Sequence, residues 1–161
     1  MTPVFWIDAS VLIQAERKYY PFRRVPQFWT FIDQQLASGN IRMPRLAYEE
    51  VVSFGDDLSD WCKARKGRGL CVRASKDVQE RCLATVIDHV YNNHPPHQAA
   101  EFLKGADSWL IAHALCEGGT VVTEETRGVK MKVKIPTVTK TLGGAWCDTS
   151  DMLNSMDARF G

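Results

Sequence analysis

The stretch Val4-Phe5-Trp6-Ile7-Asp8 is a short, continuous apolar run that ends on an acid. Such a run is typical of a strand buried on both faces, as in a parallel sheet. Further strands are expected at Ile41–Pro44, Thr120–Thr123 and Trp146–Cys147, with a weaker candidate at Lys132–Ile135. Helical segments separate these runs, so the sequence predicts β-α units and a parallel sheet with helices on both faces.

The expected helices are marked by capping residues, prolines and glycines at their ends. They cover residues 11–16, 27–37, 45–54, 58–65, 77–91, 97–103, 106–117 and 137–142, with a last turn or two after 150. Ser10, Asp77 and Ser150 are the expected N-caps of three of them. The chain has 161 residues, of which 45% are hydrophobic, so we expect one domain, 1–161, with a core that needs no disulfides.

Cysteine usage and hydropathy indicate the compartment. The five cysteines are odd in number and form no C-x-x-C pair, which favours free thiols in a reducing environment over disulfides or a zinc site. The first residues lack the basic region and cleavage site of a secretory signal. No apolar run reaches the roughly 18 residues of a membrane span. We therefore expect a cytoplasmic protein that does not enter a membrane.

Two acidic positions follow apolar strands. Asp8 ends the first strand, and Glu124 and Glu125 directly follow Thr120–Thr123. Ligands of open α/β sheets bind outside the carboxyl ends of the strands, so acids there are well placed for a site. Two other interpretations stay open, in which Asp8 caps the next helix and Glu124-Glu125 is an exposed acidic turn.

Two further acids share a face with apolar residues of a helix. At about 100° per residue, Glu50 falls within the stripe formed by Leu46, Val51 and Phe54. Burial of an ionised carboxylate is costly, so Glu50 requires a cation or a cleft edge. Asp107 is aligned with the apolar stripe of its helix. It is alternatively a first-turn acid that the helix dipole favours.

Together these acids predict a metal site. Clustered carboxylates repel one another and take up protons unless a cation neutralises them, and Mg²⁺ or Mn²⁺ prefers such oxygen ligands. The net charge of +1 says little about partners, but the segments 63–76 and 127–140 carry no acid and suit a phosphate backbone. The candidate nucleic-acid contacts within them are Lys63, Arg65, Lys66, Arg68, Arg127, Lys130 and Lys132. Trp61 and Trp109 are candidates for base stacking, although core packing is the commoner role of tryptophan.

The order and spacing of four motifs resemble PIN domains, the nucleases that include the VapC-like toxins of bacterial toxin–antitoxin pairs. The motifs are Phe5–Ile13, Ala47–Val51, Gly105–Ala114 and Val121–Glu125, and the resemblance extends over nearly the whole chain. It is nearest to an uncharacterised bacterial and archaeal PIN-like branch. The resemblance implies a three-layer α/β/α fold with a central parallel sheet of about four or five strands, an acidic metal pocket and single-stranded RNA as substrate.

The resemblance also implies roles for individual residues. The catalytic and metal-binding acids would be Asp8, Glu50, Asp107 and Glu125, and the supporting residues would be Ser10, Thr123 and Glu124. With Mg²⁺ or Mn²⁺ bound, these residues would hydrolyse phosphodiester bonds in RNA. Two positions depart from the family pattern. Ala9 stands at a common Thr or Ser, and Glu125 stands where many members carry Asp, with Glu124 beside it, so either glutamate is a candidate for the fourth ligand.

Partners and alternatives follow from the same resemblance. A toxin would be covered by a cognate antitoxin, and a homodimer is expected from apolar segments at 19–22 and 28–29. The departures at Ala9 and Glu125 leave open a PIN-like module that binds nucleic acid or protein without cleaving it. A phosphohydrolase with Asp8 as nucleophile is disfavoured, because no second Asp stands at Ser10 and no phosphate-cradling Gly-rich loop is found.

Overall fold

A parallel sheet of four short strands lies at the centre of the computed structural model, which describes residues 4–125 and 133–160. The strands are β1 (Phe5–Ile7), β2 (Ile41–Arg42), β3 (Thr120–Val122) and β4 (Ala145–Cys147), in the spatial order β2-β1-β3-β4. β1 and β3 are therefore neighbours in the middle of the sheet. Their carboxyl ends lie side by side at the same edge.

Helices cover both faces of this sheet. They are α1 (Ala9–Gln14), α2 (Pro26–Ser38), α3 (Arg45–Val52), α4 (Asp57–Lys63), α5 (Leu83–Asn93), α6 (Pro96–Lys104), α7 (Asp107–Glu117), α8 (Ile135–Thr141) and α9 (Thr149–Ser155). One-turn π-helical segments at Ala15–Tyr19 and Val78–Cys82 extend α1 and precede α5. None of the helices in the described ranges is long and apolar enough to cross a membrane.

The alternation of side chains along β1 divides the core into two parts. Phe5 and Ile7 pack with α1 to α4 and α9, whereas Trp6 points to the opposite face and packs with α5 to α8. All three side chains are buried. This confirms the predicted three-layer α/β/α architecture, with a strand covered on both faces as its apolar sequence indicated.

Two glycines allow the strands to come together. Gly39 adopts a left-handed φ of 78° at the end of α2 and turns the chain into β2. Gly119 follows α7, and a Cβ atom there would lie 2.5 Å from the carbonyl oxygen of Val4. A side chain at position 119 would therefore separate β3 from β1, the two strands that carry the acids.

The expected strand at 132–135 is wrong where the structure describes it. Ile135 begins α8, with Pro136 in the first turn, and Val133 and Lys134 belong to no strand. Proline in that position favours a helix start, and the buried Ile135 and Val138 bind the helix to the core. Lys132 lies outside the described residues.

Within the described ranges, none of the three predicted N-cap side chains makes a capping hydrogen bond, although Asp77 does occupy the N-cap position of the π-helical segment. Asp148, not Ser150, caps α9 and forms a capping box with Asp151. Ser75 Oγ accepts a hydrogen bond from the backbone N–H of Val78 at 3.2 Å. Ser75 therefore makes the side-chain capping contact that the sequence assigned to Asp77. In α1 the N-cap position belongs to Asp8 and not to Ser10. Local spacing thus finds the helix starts but does not distinguish neighbouring capping residues.

Candidate functional site

Four acids from four separate elements surround the carboxyl edge of the central strands. Asp8 directly follows β1, and Glu125 lies three residues beyond β3. Glu50 comes from α3, and Asp107 is the first residue of α7. The charges of Asp8, Glu125 and Glu50 all raise the pKa of Asp107. The four side chains therefore belong to one electrostatic site.

Asp8 is the buried centre of this site, with 6% of the residue exposed. Its Oδ2 accepts hydrogen bonds from Ser10 Oγ at 2.8 Å and from Thr123 Oγ1 at 3.1 Å. Burial raises the pKa of Asp8, and the hydroxyls of Ser10 and Thr123 offset part of that effect. Asp8 occupies the N-cap position of α1, where the backbone N–H groups of Ala9 and Ser10 also lower its pKa.

The two hydroxyls also hold the segment after β3. Ser10 Oγ accepts from the backbone N–H of Glu124 at 3.1 Å, and Thr123 Oγ1 accepts from the N–H of Glu125 at 3.1 Å. Each hydroxyl thus donates to Asp8 and accepts from a neighbouring strand end. This arrangement fixes the orientation of one Asp8 oxygen and leaves the other, Oδ1, without a side-chain donor among the described residues.

The structure distinguishes the two adjacent glutamates. Glu124 Oε1 accepts from the backbone N–H of Thr149 at 3.0 Å, at the start of α9. Glu125 is directed into the acid cluster, where burial raises its pKa first and the charge of Asp8 raises it further. Its Oε2 accepts from the N–H of Ile135 at 2.9 Å. The sequence left these neighbours as alternatives, because adjacent residues after a strand give no sign of which one turns inward.

The remaining two acids complete the cluster from the helices. Burial, followed by the charges of Asp8, Glu125 and Glu50, raises the pKa of Asp107 to about 8. Burial and then Asp8 and Glu125 raise the pKa of Glu50. Glu50 is nevertheless an exposed residue, so it forms the rim of a cleft. Phe54, expected to share its apolar stripe, is 52% exposed, so the stripe ends earlier than the sequence indicated.

This donor set fits a divalent cation. Among the described residues, Lys134 is the one cation that lowers the pKa of both Asp107 and Glu125. Its effect is smaller than that of burial, so both pKa values remain raised. A cluster of carboxylates whose pKa values are raised by burial and mutual repulsion is stabilised by a hard cation. Mg²⁺ and Mn²⁺ take such oxygen ligands and keep waters in their remaining positions.

The basic segment 63–68 is less available than its sequence suggested. Arg65 Nε lies 2.9 Å from Asp33 Oδ1, and its guanidinium stacks on the ring of Trp61 at 4.1 Å. Arg68 reaches the same carboxylate at 3.3 Å. Asp33 lies about thirty positions earlier in the chain, so local charge counting did not include it. Lys63 and Lys66 are exposed, and Arg127, Lys130 and Lys132 lie outside the described residues.

The apolar segments expected at a dimer surface are mostly core. Phe28 and Trp29 are 0% and 4% exposed. Trp29 packs edge-to-face on Trp61 at 5.0 Å, so core packing accounts for Trp61 as well. Of this group only Tyr19 is largely exposed. Tyr20, Pro21 and Phe22 are only partly buried, so the dimer stays a prediction.

A second group of metal-ligand side chains lies near the other end of α7, nine residues beyond Asp107. Asp77, Cys82 and Cys116 have ligand atoms that all lie within 4.8 Å of one another. However, Arg81 donates two hydrogen bonds to Asp77, at 2.8 and 2.7 Å, and its Nη2 lies 3.4 Å from Cys116 Sγ. A guanidinium thus already supplies the positive charge in this group.

Two solved structures share this fold. One is the structure of VapBC-1 from nontypeable Haemophilus influenzae, with a TM-score of 0.54 and 14% identity over 90% of this chain and 97% of the other. The other is the structure of VapBC2 from Rickettsia felis bound to a DNA fragment from their promoter, with a TM-score of 0.54 and 11% identity over 90% and 98%. At such low identity the likeness establishes the fold alone. It confirms the PIN-like fold that the four motifs predicted.

The sequence also assigns the chain to a family. Residues 5–160 match the family described as Domain of unknown function (DUF4411), and the chain therefore belongs to it. No curated protein matches the chain. A PIN-like fold and an acidic cluster at its sheet edge are thus the established features from which a function is inferred.

Proposed function

We propose that this protein is a divalent-metal-dependent endoribonuclease that hydrolyses phosphodiester bonds in single-stranded RNA. The observation that carries the proposal is the convergence of Asp8, Glu50, Asp107 and Glu125 from four elements on one sheet edge, with Lys134 as the cation that opposes them. An uncompensated group of acids with raised pKa values is uncommon outside functional sites.

The chain's own residues would hold and orient the reacting groups. Asp8, Asp107 and Glu125 form the inner part of the cluster, and Glu50 closes it at the rim. Bound there, Mg²⁺ or Mn²⁺ would lower the pKa of a water and reduce the negative charge on the scissile phosphate. Ser10 and Thr123 would keep Asp8 Oδ2 turned toward them and leave Oδ1 as the ligand atom. Lys134, whose charge lowers the pKa values of Asp107 and Glu125, would also attract a phosphate bound there.

The biological role proposed is that of the toxin in a toxin–antitoxin pair. The motifs resemble those of VapC-like toxins, and the two fold relatives above are VapBC structures. A cognate antitoxin would then cover the acidic edge and block access of RNA. Exposed rim residues such as Glu50 are suited to such a contact. The protein would act in the cytoplasm, where RNA is available.

The activity is tested with purified protein and defined single-stranded RNAs of mixed sequence. Cleavage is expected in Mg²⁺ or Mn²⁺ and its loss in EDTA, because the acids repel one another without a cation. Asp8→Asn should lose cleavage while its thermal unfolding stays cooperative. Metal-independent cleavage, or equal cleavage by Asp8→Asn, would contradict the proposal. Binding of Mn²⁺ and RNA without any cleavage would instead support a binding module.

A further inference from the structure

A cavity of about 500 Å³ opens beside the acidic cluster, between α3, α7 and the segment at 72–74. Its lining combines two arginines, one tryptophan, one histidine and a glutamine with a few apolar residues. The residues that matter for the argument are Arg45, Leu46, Arg73, Trp109 and His113. They come from separate parts of the chain, so the sequence alone did not associate them.

The cavity is adjacent to the acidic cluster on two sides. Leu46 lines it, and Glu50 lies one turn further along α3 on nearly the same face, about 5–6 Å away. Pro44 and Arg45 lie just beyond the end of β2, which pairs with β1 about 4.8 Å away. Asp8 follows the same end of β1. A single strand with a phosphate at the acids would therefore have the cavity as a neighbouring surface, although none of the four acids is among its described lining residues.

His113 supplies unused hydrogen-bonding capacity at the cavity. The residue is 1% exposed, its ring stacks on Trp6 at 4.7 Å, and its Nδ1 has no hydrogen-bond partner among the described residues. The nearest carboxylate, Glu117, is 3.9 Å from Nδ1, beyond hydrogen-bond distance. Burial lowers the pKa of His113 to about 4, so the ring is neutral at pH 7 and offers one donor and one acceptor.

The other lining residues offer a surface for base stacking and positive charge for a phosphate. Trp109 is partly exposed and presents an aromatic surface on which a base of any sequence can stack. Arg73 is exposed and forms no ion pair with another described residue, so its charge is free for a phosphate. Arg45 holds Glu49 by a solvent-exposed contact of 3.3 Å, which is weak enough to exchange for a phosphate.

We propose that this cavity is the subsite for the nucleotide next to the scissile bond of single-stranded RNA. In this subsite Trp109 stacks on the base, buried His113 forms part of the floor, and Arg45 and Arg73 hold the flanking phosphate. The inference rests on the proposed ribonuclease function, since it places the cleaved bond at the acidic cluster. It adds a substrate-positioning surface outside the acidic cluster, since the lining that the structure describes includes none of the four acids.

The test measures binding of a fluorescent single-stranded RNA of about six nucleotides to the full chain in EDTA, where no cleavage is expected. Trp109→Leu should weaken binding by between about fivefold and a hundredfold. Arg73→Gln should weaken it less and should reduce the slope of log K against log salt by about 0.7, the value for one phosphate contact on a single strand. Arg23→Gln is the matched control, because Arg23 is an exposed arginine remote from the cavity lining.

Cleavage kinetics separate this inference from the ribonuclease proposal. Both variants should raise KM while kcat changes little, because they leave the acids in place. If Arg73→Gln and Trp109→Leu bind RNA as the unaltered protein does, while that protein cleaves RNA, the subsite is wrong and the ribonuclease proposal stands. If binding depends on the cavity but no metal ion supports cleavage, the cavity binds RNA, whereas the ribonuclease proposal fails and with it the place of this subsite beside a scissile bond. Arg73 is exposed, so its variant remains informative even if Trp109→Leu fails to fold.

Discussion

The two clusters of potential metal ligands in this protein differ in how their charge is balanced. Asp77 lies beside Cys116 and Cys82 in the tighter arrangement, yet two hydrogen bonds from Arg81 hold the pKa of Asp77 well below its usual range. Asp107 lies in a looser group, and its pKa is raised to about 8 by burial and neighbouring acids. Proximity of ligand atoms alone favours the group whose negative charge Arg81 already balances. Uncompensated charge at the carboxyl edge of the sheet identifies the better candidate.

The comparison predicts opposite outcomes for one substitution at two aspartates. Asp107→Asn should reduce metal-dependent RNA cleavage by about a hundredfold or more, about 3 kcal/mol, because it removes a cation ligand. Asp77→Asn should leave the cleavage rate unchanged. Initial rates in Mn²⁺ on one RNA substrate measure both. A large loss for Asp77→Asn with none for Asp107→Asn would reverse the assignment.

The hydroxyls that orient Asp8 should have the next largest effect. Thr123→Val removes one donor to Asp8 Oδ2 and the acceptor for the N–H of Glu125. Loss of such a supporting partner typically costs about 10- to 100-fold in metal affinity or activity. Thr141→Val is the matched control, since Thr141 hydrogen-bonds only within α8 at the surface. Cleavage rates are measured at saturating Mn²⁺ and again near the half-saturating concentration. If Thr123→Val changes neither rate, Asp8 does not need this hydrogen bond.

A comparison of the adjacent residues Glu124 and Glu125 tests the site more finely, with a smaller expected change in cleavage rate. Glu125→Gln should lower cleavage about tenfold, because a neutral amide is a weaker ligand for a hard cation than a carboxylate is. Glu124→Gln keeps the oxygen that accepts from Thr149 and should change neither cleavage nor the thermal midpoint appreciably. Parallel rate and unfolding measurements on the two variants check this. Equal losses of activity would mean that the inward position of Glu125 has no functional meaning.

The smallest expected effect concerns stability as a function of pH in EDTA. The folded pKa of Asp107, about 8, lies above the ordinary value of 3.8, so between about pH 4 and 8 the folded state holds a proton that the unfolded state has lost. Stability contributed by this group is complete below about pH 4 and is lost as pH rises through about 8. Asp107→Asn should therefore unfold a few degrees higher than the original chain at pH 8, about 2–4 °C for each kcal/mol.

Thermal scans from pH 5 to pH 8 measure this difference directly. The gap between Asp107→Asn and the original chain should narrow toward the acidic end of the range. Asp77→Asn should be destabilising at pH 8, since it breaks the contact with Arg81. A midpoint for the original chain that rises steadily from pH 5 to pH 8 in EDTA would contradict the raised pKa of Asp107.

The sequence was sufficient for features whose causes are local. The apolar run ending at Asp8 specified both a doubly covered strand and a strand-end acid, and the periodicity after Ala106 specified α7 with Asp107 at its start. The structure brings together the four acids expected at the site. Their predicted roles as catalytic and metal-binding residues remain proposals.

Features that depend on contacts between distant segments were not predictable. The Glu125 side chain is held in the acid cluster by the backbone N–H of Ile135, and Asp8 lies near it there. The charge of Arg65 is balanced by an ion pair with Asp33. The cavity beside Glu50 requires α3, α7 and Arg73 to be assembled before its lining exists. Charge counts and periodicity carry no information about such pairings, because they sum over neighbours in the chain and not in space.

Calorimetric titration with Mn²⁺ at pH 7.5 tests the central claim most directly. The original chain and the double variant Asp77→Asn, Cys116→Ser should bind Mn²⁺ equally, because Arg81 already balances the charge of the Asp77 group. Asp107→Asn should bind it at least about tenfold more weakly, since it loses one carboxylate ligand. Binding that survives Asp107→Asn but disappears in the double variant would place the metal in the other cluster and contradict the account.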